Sequence, residues 1–119
     1  MHTVLETIAY LKAADDAGMD EEERVAVADL VAANPEAGAI MPGCGGARKL
    51  RVRKPGTGKS GGYRVISYYA GEDLPVFLLT VFGKGEKDNL TKGERNALGE
   101  LTKRLKDSLR SGTGRKPLR

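Results

Sequence analysis

Three consecutive strand-like stretches in the middle of the chain constrain its fold more than any other feature. In residues 49–53 the apolar side chains of Leu50 and Val52 alternate with three cations, which is the period of a half-buried strand. Residues 63–70 and 76–82 are rich in the β-branched and aromatic residues that favour strands. Because turn sequences containing glycine separate the stretches, the pattern predicts a three-stranded antiparallel meander.

Helical patterns precede this region. A short opening strand is predicted at residues 4–5, followed by a helix at residues 8–17 that Gly18 ends. A second helix begins after Asp20, because Asp20 and Glu23 have the spacing of a capping box. The residues spaced for its buried face are Val27, Leu30 and Val31.

A long amphipathic helix is predicted near the end of the chain. Thr91 and Glu94 repeat the capping-box spacing in front of it. Its apolar stripe consists of Ala97, Leu98, Leu101, Leu105 and Leu109. The order β-α-α-β-β-β-α indicates the α+β class: a small antiparallel sheet packed with two N-terminal helices and a C-terminal helix. We expect one domain over residues 1–110 and a basic flexible tail at residues 111–119.

Charge is distributed very unevenly along the chain. The first 36 residues contain nine acidic and two basic residues, whereas residues 37–71 contain seven basic residues, nine glycines and no acidic residue. A cluster of cations on a glycine-rich backbone suits close contact with a polyanion, most commonly a phosphate backbone. The seven cations are Arg48, Lys49, Arg51, Arg53, Lys54, Lys59 and Arg64.

Composition excludes several kinds of catalytic site. His2 is the only histidine and Cys44 the only cysteine, which excludes a histidine-pair nuclease, a zinc site that needs two histidines and an internal disulfide. Lys59 follows a glycine as in a nucleotide-binding P-loop, but that motif needs a glycine where Arg53 stands and a helix after the lysine. We expect neither a metal nor another cofactor.

The sequence also bears on location. Its longest apolar run, residues 74–82, is about half as long as the ~20 residues that a membrane-spanning helix needs. No N-terminal segment has the pattern of a signal peptide, and a single cysteine suits a reducing compartment. We therefore expect a cytoplasmic protein without a membrane partner.

The basic cluster supports two functional interpretations. One is a nucleic-acid-binding surface without catalysis. The other is metal-free RNA cleavage, in which the RNA 2′-hydroxyl attacks the adjacent phosphate while protein cations orient it and stabilise the developing charge. Lys59 is the candidate proton-transfer group, because neighbouring cations disfavour its protonated form. Phe82, beside Gly83 at a strand end, is a candidate for base stacking, with core packing as the other interpretation.

Four strings of residues together carry a resemblance to a known family. They are GGARKLR at 45–51, GKSGGYRVI at 58–66, LTVFGKGE at 79–86 and NLT at 89–91. In combination they resemble the RelE/HigB family of bacterial toxins, and the resemblance extends over about residues 2–109. The element order derived above agrees with the compact α+β fold of that family.

The resemblance implies a toxin of a type II toxin–antitoxin pair. Such a toxin is a ribosome-dependent mRNA endonuclease, or mRNA interferase, that cuts the codon in the A site by 2′-hydroxyl attack. By position, Arg64 would hold the scissile phosphate, Lys59 would serve in proton transfer or charge stabilisation, and Lys84 would line the same site. The residues expected to contact mRNA or ribosomal RNA are Arg48, Lys49, Arg51, Arg53, Lys54 and Phe82. Some relatives also use a late tyrosine, but this chain has none after Tyr69, so the general base is not identified.

Two other functions remain open on the sequence. One is a ParE-like toxin of the same fold that inhibits DNA gyrase without cutting nucleic acid, and the other is a plain RNA- or DNA-binding module. The set Lys59, Arg64 and Lys84 favours the nuclease over the ParE-like toxin. The resemblance also implies a small antitoxin of the helix-turn-helix type. We expect it to contact the acidic residues 20–23 and the alanine-rich face of residues 26–33, which leaves the basic face for the ribosome.

Overall fold

A computed structural model describes residues 2–53, 62–83 and 90–112. Its elements are β1 (Val4–Glu6), α1 (Ile8–Asp16), α2 (Glu21–Ala33), β2 (Ala39–Ile40), β3 (Arg48–Val52), β4 (Tyr63–Tyr69), β5 (Val76–Gly83) and α3 (Lys92–Gly112). The predicted α+β class is confirmed, and so are the three N-terminal elements. The two-residue strand β2 was not predicted. None of the described helices is long and apolar enough to cross a membrane.

The strands form one five-stranded sheet in the order β1-β5-β4-β3-β2. The predicted meander β3-β4-β5 lies at its centre and is antiparallel throughout. At one edge β1 runs parallel to β5, with Val4 opposite Val76. Thr7 fixes the turn between β1 and α1, because its hydroxyl donates to the Leu78 carbonyl at 2.8 Å and also accepts from the amide of Tyr10, which caps α1.

The sheet has an apolar cluster on each face. The first is packed by α1 and α2 and includes Tyr10, Val27, Val31, Val65 and Leu78. The second is packed by α3 and the loop before β3 and includes Cys44, Ile66, Phe77, Leu79 and Leu98. The prediction that Leu30 faces the core is wrong, since Leu30 is 44% exposed. Val27 and Val31 are one helical turn apart and suffice to seat α2, which leaves Leu30 on the outer flank.

Both predicted capping boxes are present. In α2 the Asp20 carboxylate accepts from the amide of Glu23 at 2.8 Å, and the Glu23 carboxylate accepts from the amide of Asp20 at 2.9 Å. In α3 the amide of Thr91 donates to the Glu94 carboxylate at 2.8 Å, and the amide of Glu94 donates to the Thr91 hydroxyl at 3.1 Å. Each pair satisfies amides that a helix start would otherwise leave without partners.

A close contact between a helix and a glycine loop seats α3 on the sheet. The side chain of Thr102 is fully buried, and its hydroxyl lies 3.1 Å from the Cys44 carbonyl and 3.0 Å from the Gly99 carbonyl. A Cβ atom on Gly45 would overlap that hydroxyl. Gly45 also has a φ of 69°, in the left-handed region that favours glycine. The loop therefore needs glycine at this position both for its backbone and for the approach of α3.

Gly43 provides a control for this contact, because it has a φ of 77° but no atom within 4 Å of an added Cβ. We expect Gly43→Ala to cost about 1–2 kcal/mol in the free energy of unfolding, the usual penalty of a left-handed alanine. Gly45→Ala should cost a further ~1–3 kcal/mol, because the new methyl group displaces Thr102. Chemical denaturation of both variants measures the difference. Equal losses would show that the contact with Thr102 does not limit the packing of α3.

Candidate nucleic-acid interface

The predicted alternation of side chains in β3 is confirmed. Leu50 and Val52 pack against the cluster under α1 and α2. Lys49 and Arg51 have the opposite parity and therefore lie on the face that carries α3. The pairing agrees, because Lys49 lies opposite Ile66, which belongs to the cluster under α3. The strand thus turns an apolar side to one core and a cationic side to the other face.

Arg64 lies at the centre of a row that crosses three strands. Arg51 is directly opposite it on β3, and Phe82 is directly opposite it on β5. Directly opposed residues on antiparallel strands have Cβ atoms about 4.5–5.5 Å apart, and like charges in such positions destabilise the sheet. Two arginine side chains that start from neighbouring positions concentrate positive charge on this face, which favours the binding of an anion. This cross-strand Arg51–Arg64 pair is the most specific feature of the candidate site.

Arg64 is more buried than its place outside the apolar pattern led us to expect. Only 5% of the residue is exposed, and its neighbour on the same face, Ile66, is fully buried. Packing therefore restricts the rotamers of Arg64, and any ligand would meet a guanidinium that is already oriented. Phe82 is also 5% exposed and packs in the cluster with Leu90 and Leu98. This location favours core packing over base stacking for Phe82.

Arg48 and Arg53 lie apart from the arginine pair. Arg48 donates to the carbonyl of Glu36 at 3.0 Å and to that of Gly38 at 3.2 Å, so its guanidinium braces the turn before β2. It also has the parity of the residues that face the other core. Arg53 follows the end of β3 and lines a cleft of about 590 Å³ together with acidic residues of α2.

The remaining predicted site residues, Lys54, Lys59 and Lys84, lie outside the described residues. The glycine that precedes β4 is described. Gly62 has a φ of 137°, and a Cβ atom there would lie 2.7 Å from the carbonyl oxygen of Val52. Glycine at this position lets β4 approach β3 closely enough to pair from Tyr63 onward, and Arg64 follows directly.

A link between α2 and the start of β4 was not predicted. Tyr63 is 2% exposed, and its hydroxyl donates to the Glu23 carboxylate at 3.2 Å. The same carboxylate oxygen accepts from the amide of Asp20 in the capping box. Burial, with the neighbouring charge of Glu23 as the next cause, raises the pKa of Tyr63 to about 12. The residue before Arg64 is thereby anchored to a helix forty positions earlier in the chain, a separation that no local pattern reveals.

The sheet separates the two charged parts of the chain. The acidic helix α2 packs on one face, and Lys49, Arg51 and Arg64 lie on the other. Within residues 2–53, 62–83 and 90–112, no group of three or more His, Cys, Asp or Glu side chains is placed to hold a metal ion. The described part of the site is therefore a cationic face built on β3 and β4.

Comparison with known families identifies the chain. The sequence model of the RelE toxin of the RelE/RelB toxin–antitoxin system matches residues 9–112. The chain belongs to the RelE toxin family. The match confirms the resemblance found in the sequence and covers every described element except β1 and the first residue of α1. A RelE-family chain is the toxin of a toxin–antitoxin pair, and its partner is a cognate antitoxin.

The burial of Tyr63 beside the Glu23 carboxylate gives the RelE-family toxin a pH-dependent stability. In the folded chain the pKa of Tyr63 is about 12, against an ordinary value of 10.0, so the unfolded chain loses this proton first. Stability that is present below pH 10 is therefore lost as the pH rises towards 12. Buried Tyr10, whose pKa is also raised to about 12, acts in the same direction.

We expect Tyr63→Phe to lower the free energy of unfolding near neutral pH by about 1 kcal/mol, because Glu23 loses one of its two donors. The variant should also lose less stability between pH 10 and 12 than the wild type. Tyr10→Phe is the control: no described residue pairs with the Tyr10 hydroxyl, so it should cost little at neutral pH while flattening the same alkaline loss. Denaturation across this range measures both effects. Unchanged stability of Tyr63→Phe at neutral pH would contradict the hydrogen bond to Glu23, and an unchanged alkaline profile would contradict the raised pKa of Tyr63.

Proposed function

We propose that this RelE-family toxin is a metal-independent endoribonuclease that cuts mRNA on the translating ribosome. In the reaction the 2′-hydroxyl of a nucleotide attacks the adjacent phosphorus, the bond to the 5′ oxygen of the next nucleotide breaks, and a 2′,3′-cyclic phosphate forms. The proton of the 2′-hydroxyl must be removed, and the departing 5′ oxygen must receive one. The observation that carries the proposal is the cross-strand pair Arg51–Arg64.

Arg64 is proposed to hold the scissile phosphate. Charge builds up on the nonbridging phosphate oxygens during the attack, and a guanidinium presents two parallel N–H donors that match two such oxygens. Since packing between Ile66 and Phe82 restricts the side chain, little reorganisation is needed at the moment of reaction. Lys59 is proposed for proton transfer and Lys84 for charge stabilisation, on the strength of the family motif.

Lys49 and Arg51 are proposed to hold the RNA backbone beside Arg64. Both belong to β3 and lie on the face of the sheet that carries Arg64. Arg48 is a weaker candidate for this role, because its guanidinium already donates to two carbonyls of the preceding turn. The proposed binding surface is thus narrower than the seven-cation cluster of the sequence.

The ribosome enters the proposal because the described part of the site offers no strong base. The only histidine, His2, contacts Tyr69 edge-to-face and lies 3.4 Å from the carbonyl of Gly71. Tyr69 is at the opposite end of β4 from Arg64. Positioning of the attacking hydroxyl must therefore supply much of the rate, and accurate positioning contributes about 7–11 kcal/mol. A ribosome holds the mRNA in a defined conformation, which naked RNA lacks.

The test is mRNA cleavage in a reconstituted translation system, with naked mRNA as the second substrate. The wild type should cut translated mRNA and leave naked mRNA almost intact. Arg64→Gln should slow the cleavage by about 10²–10³-fold, as expected for the loss of one charge-stabilising donor group. Arg64→Lys keeps the positive charge but lacks the two parallel N–H donors of the guanidinium. It should therefore retain an intermediate rate of cleavage.

Because Arg64 is buried, each variant must also be checked for folding by thermal unfolding and by antitoxin binding. Rapid cutting of naked RNA, or a folded Arg64→Gln variant with the wild-type rate, would contradict the proposal. Inhibition of gyrase-catalysed DNA supercoiling without mRNA cleavage would instead assign the ParE-like function.

The outer face of α2 is the proposed contact surface for the cognate antitoxin. The exposed residues of α2 are Glu21, Glu22, Val25, Ala26, Asp29, Leu30 and Ala33. The small alanine side chains permit close approach of a partner, and Leu30 offers apolar area at the edge of this face. Since the sheet lies between this surface and the Arg51–Arg64 pair, an antitoxin there would leave the cationic face uncovered and act by preventing the toxin from docking.

Charge reversal distinguishes this surface from the cationic face. We expect Glu22→Lys with Asp29→Lys to weaken antitoxin binding by about tenfold or more, because both carboxylates face the proposed partner. The matched variant, Lys49→Glu with Arg51→Glu, should bind the antitoxin nearly as well as the wild type. Calorimetric titration gives both affinities. If only the β3 variant binds more weakly, the antitoxin covers the cationic face and the proposed surface is wrong.

A further inference from the structure

Helix α3 carries a line of exposed cations that the proposed reaction does not use. They are Lys92, Arg95, Lys103 and Lys106, and we call them the α3 stripe. Their spacings of three, eight and three residues keep them on one side of a helix with 3.6 residues per turn. At 1.5 Å per residue the stripe is about 21 Å long. Between its two pairs this side carries Gly99, which the carbonyl of Gly43 in the loop before β3 approaches closely, so the stripe consists of two exposed pairs of cations, one on each side of that contact.

Two contacts fix which way the stripe faces. On one flank of α3, Thr102 reaches the carbonyl of Cys44 in the loop that leads into β3. On the other flank, Ala97 and Leu101 line a cleft with Ala9 of α1. Arg95 is seven residues before Thr102, and Lys106 is four residues after it, so both lie on the flank of Thr102. The stripe therefore faces the side of the sheet where β3 lies.

The α3 stripe and the cations of β3 consequently border the same face of the molecule. Lys49 and Arg51 lie on the face of the sheet that α3 covers, and Arg64 is next to Arg51. The nearest acidic positions on the helix, Glu100 and Asp107, lie on its outward side, away from the sheet. One row of positive charge on a strand and one on a helix thus lie on the same side of the sheet, with the Lys103 and Lys106 end of the stripe next to the loop that leads into β3.

We propose that the α3 stripe binds the phosphate backbone of ribosomal RNA and holds the toxin on the ribosome while Arg64 acts on the mRNA. The ribosomal setting rests on the proposed function. Nucleic-acid interfaces are polar and rich in positive charge, whereas the centres of protein interfaces are enriched in aromatic and other apolar anchors. The stripe has four cations and no large apolar residue, so its chemistry fits RNA rather than a protein partner.

The test compares two double variants of equal net charge, both in the full chain with Arg64→Gln so that no RNA is cut. The first is Lys103→Gln with Lys106→Gln, which removes half of the stripe. The control is Lys12→Gln with Arg104→Gln, which removes two exposed cations elsewhere. Arg104 is two residues from Lys106 and three from Leu101, on the flank that faces α1. Binding to purified ribosomes is measured over a range of salt concentrations, and folding is checked by thermal unfolding.

We expect the stripe variant to bind ribosomes about tenfold more weakly, with a salt dependence reduced by about two phosphate contacts. The control should stay within about twofold of the parent, because its lost charges do not touch RNA. If both variants lose ribosome affinity equally, the loss is an effect of net charge alone and the proposal is wrong. The proposal is also wrong if neither variant loses affinity. Weaker antitoxin binding with ribosome binding intact would identify the stripe as a protein-binding surface and also overturn it.

The outcome is independent of the cleavage experiment. Suppose that the stripe variant loses ribosome affinity while the wild type leaves translated mRNA intact. The proposed RNA-binding role of the stripe is then supported, and the proposed nuclease function is wrong. If translated mRNA is cut but both variants bind ribosomes like the parent, the nuclease function stands and the stripe proposal fails.

Discussion

The antiparallel pairing of β4 with β3 and β5 is the interaction on which the rest of this structure depends. Six of the seven β4 residues are buried, and they contribute to the apolar clusters on both faces of the sheet. The same pairing sets Arg64 directly opposite Arg51. Shifting the register by one residue would move every side chain to the other face, placing the cations against α1 and α2. Core packing and the position of the candidate site are therefore set by one register.

The opposed arginines are a local cost that the two apolar clusters offset. Natural sequences keep such conflicts mainly where they serve a function, because each conflict lowers stability without improving packing. The glycines at both ends of the site have a related role. Gly62 permits β4 to approach Val52, and Gly45 permits α3 to approach the loop before β3. Each glycine removes a side chain where two backbone segments, or a helix and a loop, must meet closely.

Local patterns in the sequence predicted every described element except β2, and they predicted a buried face for α2, β3 and α3. Both capping boxes and the alternation of β3 follow from neighbouring residues, and all three were correct. The exposure of Leu30, the burial of Arg64 and the hydrogen bond from Tyr63 to Glu23 depend on residues that are distant in sequence. No short-range period encodes them. The two-residue strand β2 was missed because it is too short for a pattern and forms only by pairing with β3.

The separation of charge between the two faces of the sheet has a kinetic consequence. With α2 acidic on one side and Lys49, Arg51 and Arg64 on the other, the folded chain has an electric dipole directed across the sheet. In the field of a polyanion such a molecule experiences a torque before any atoms touch, and it rotates so that its cationic face leads. A larger fraction of encounters then begins in a productive orientation, and this advantage shrinks as salt screens the field.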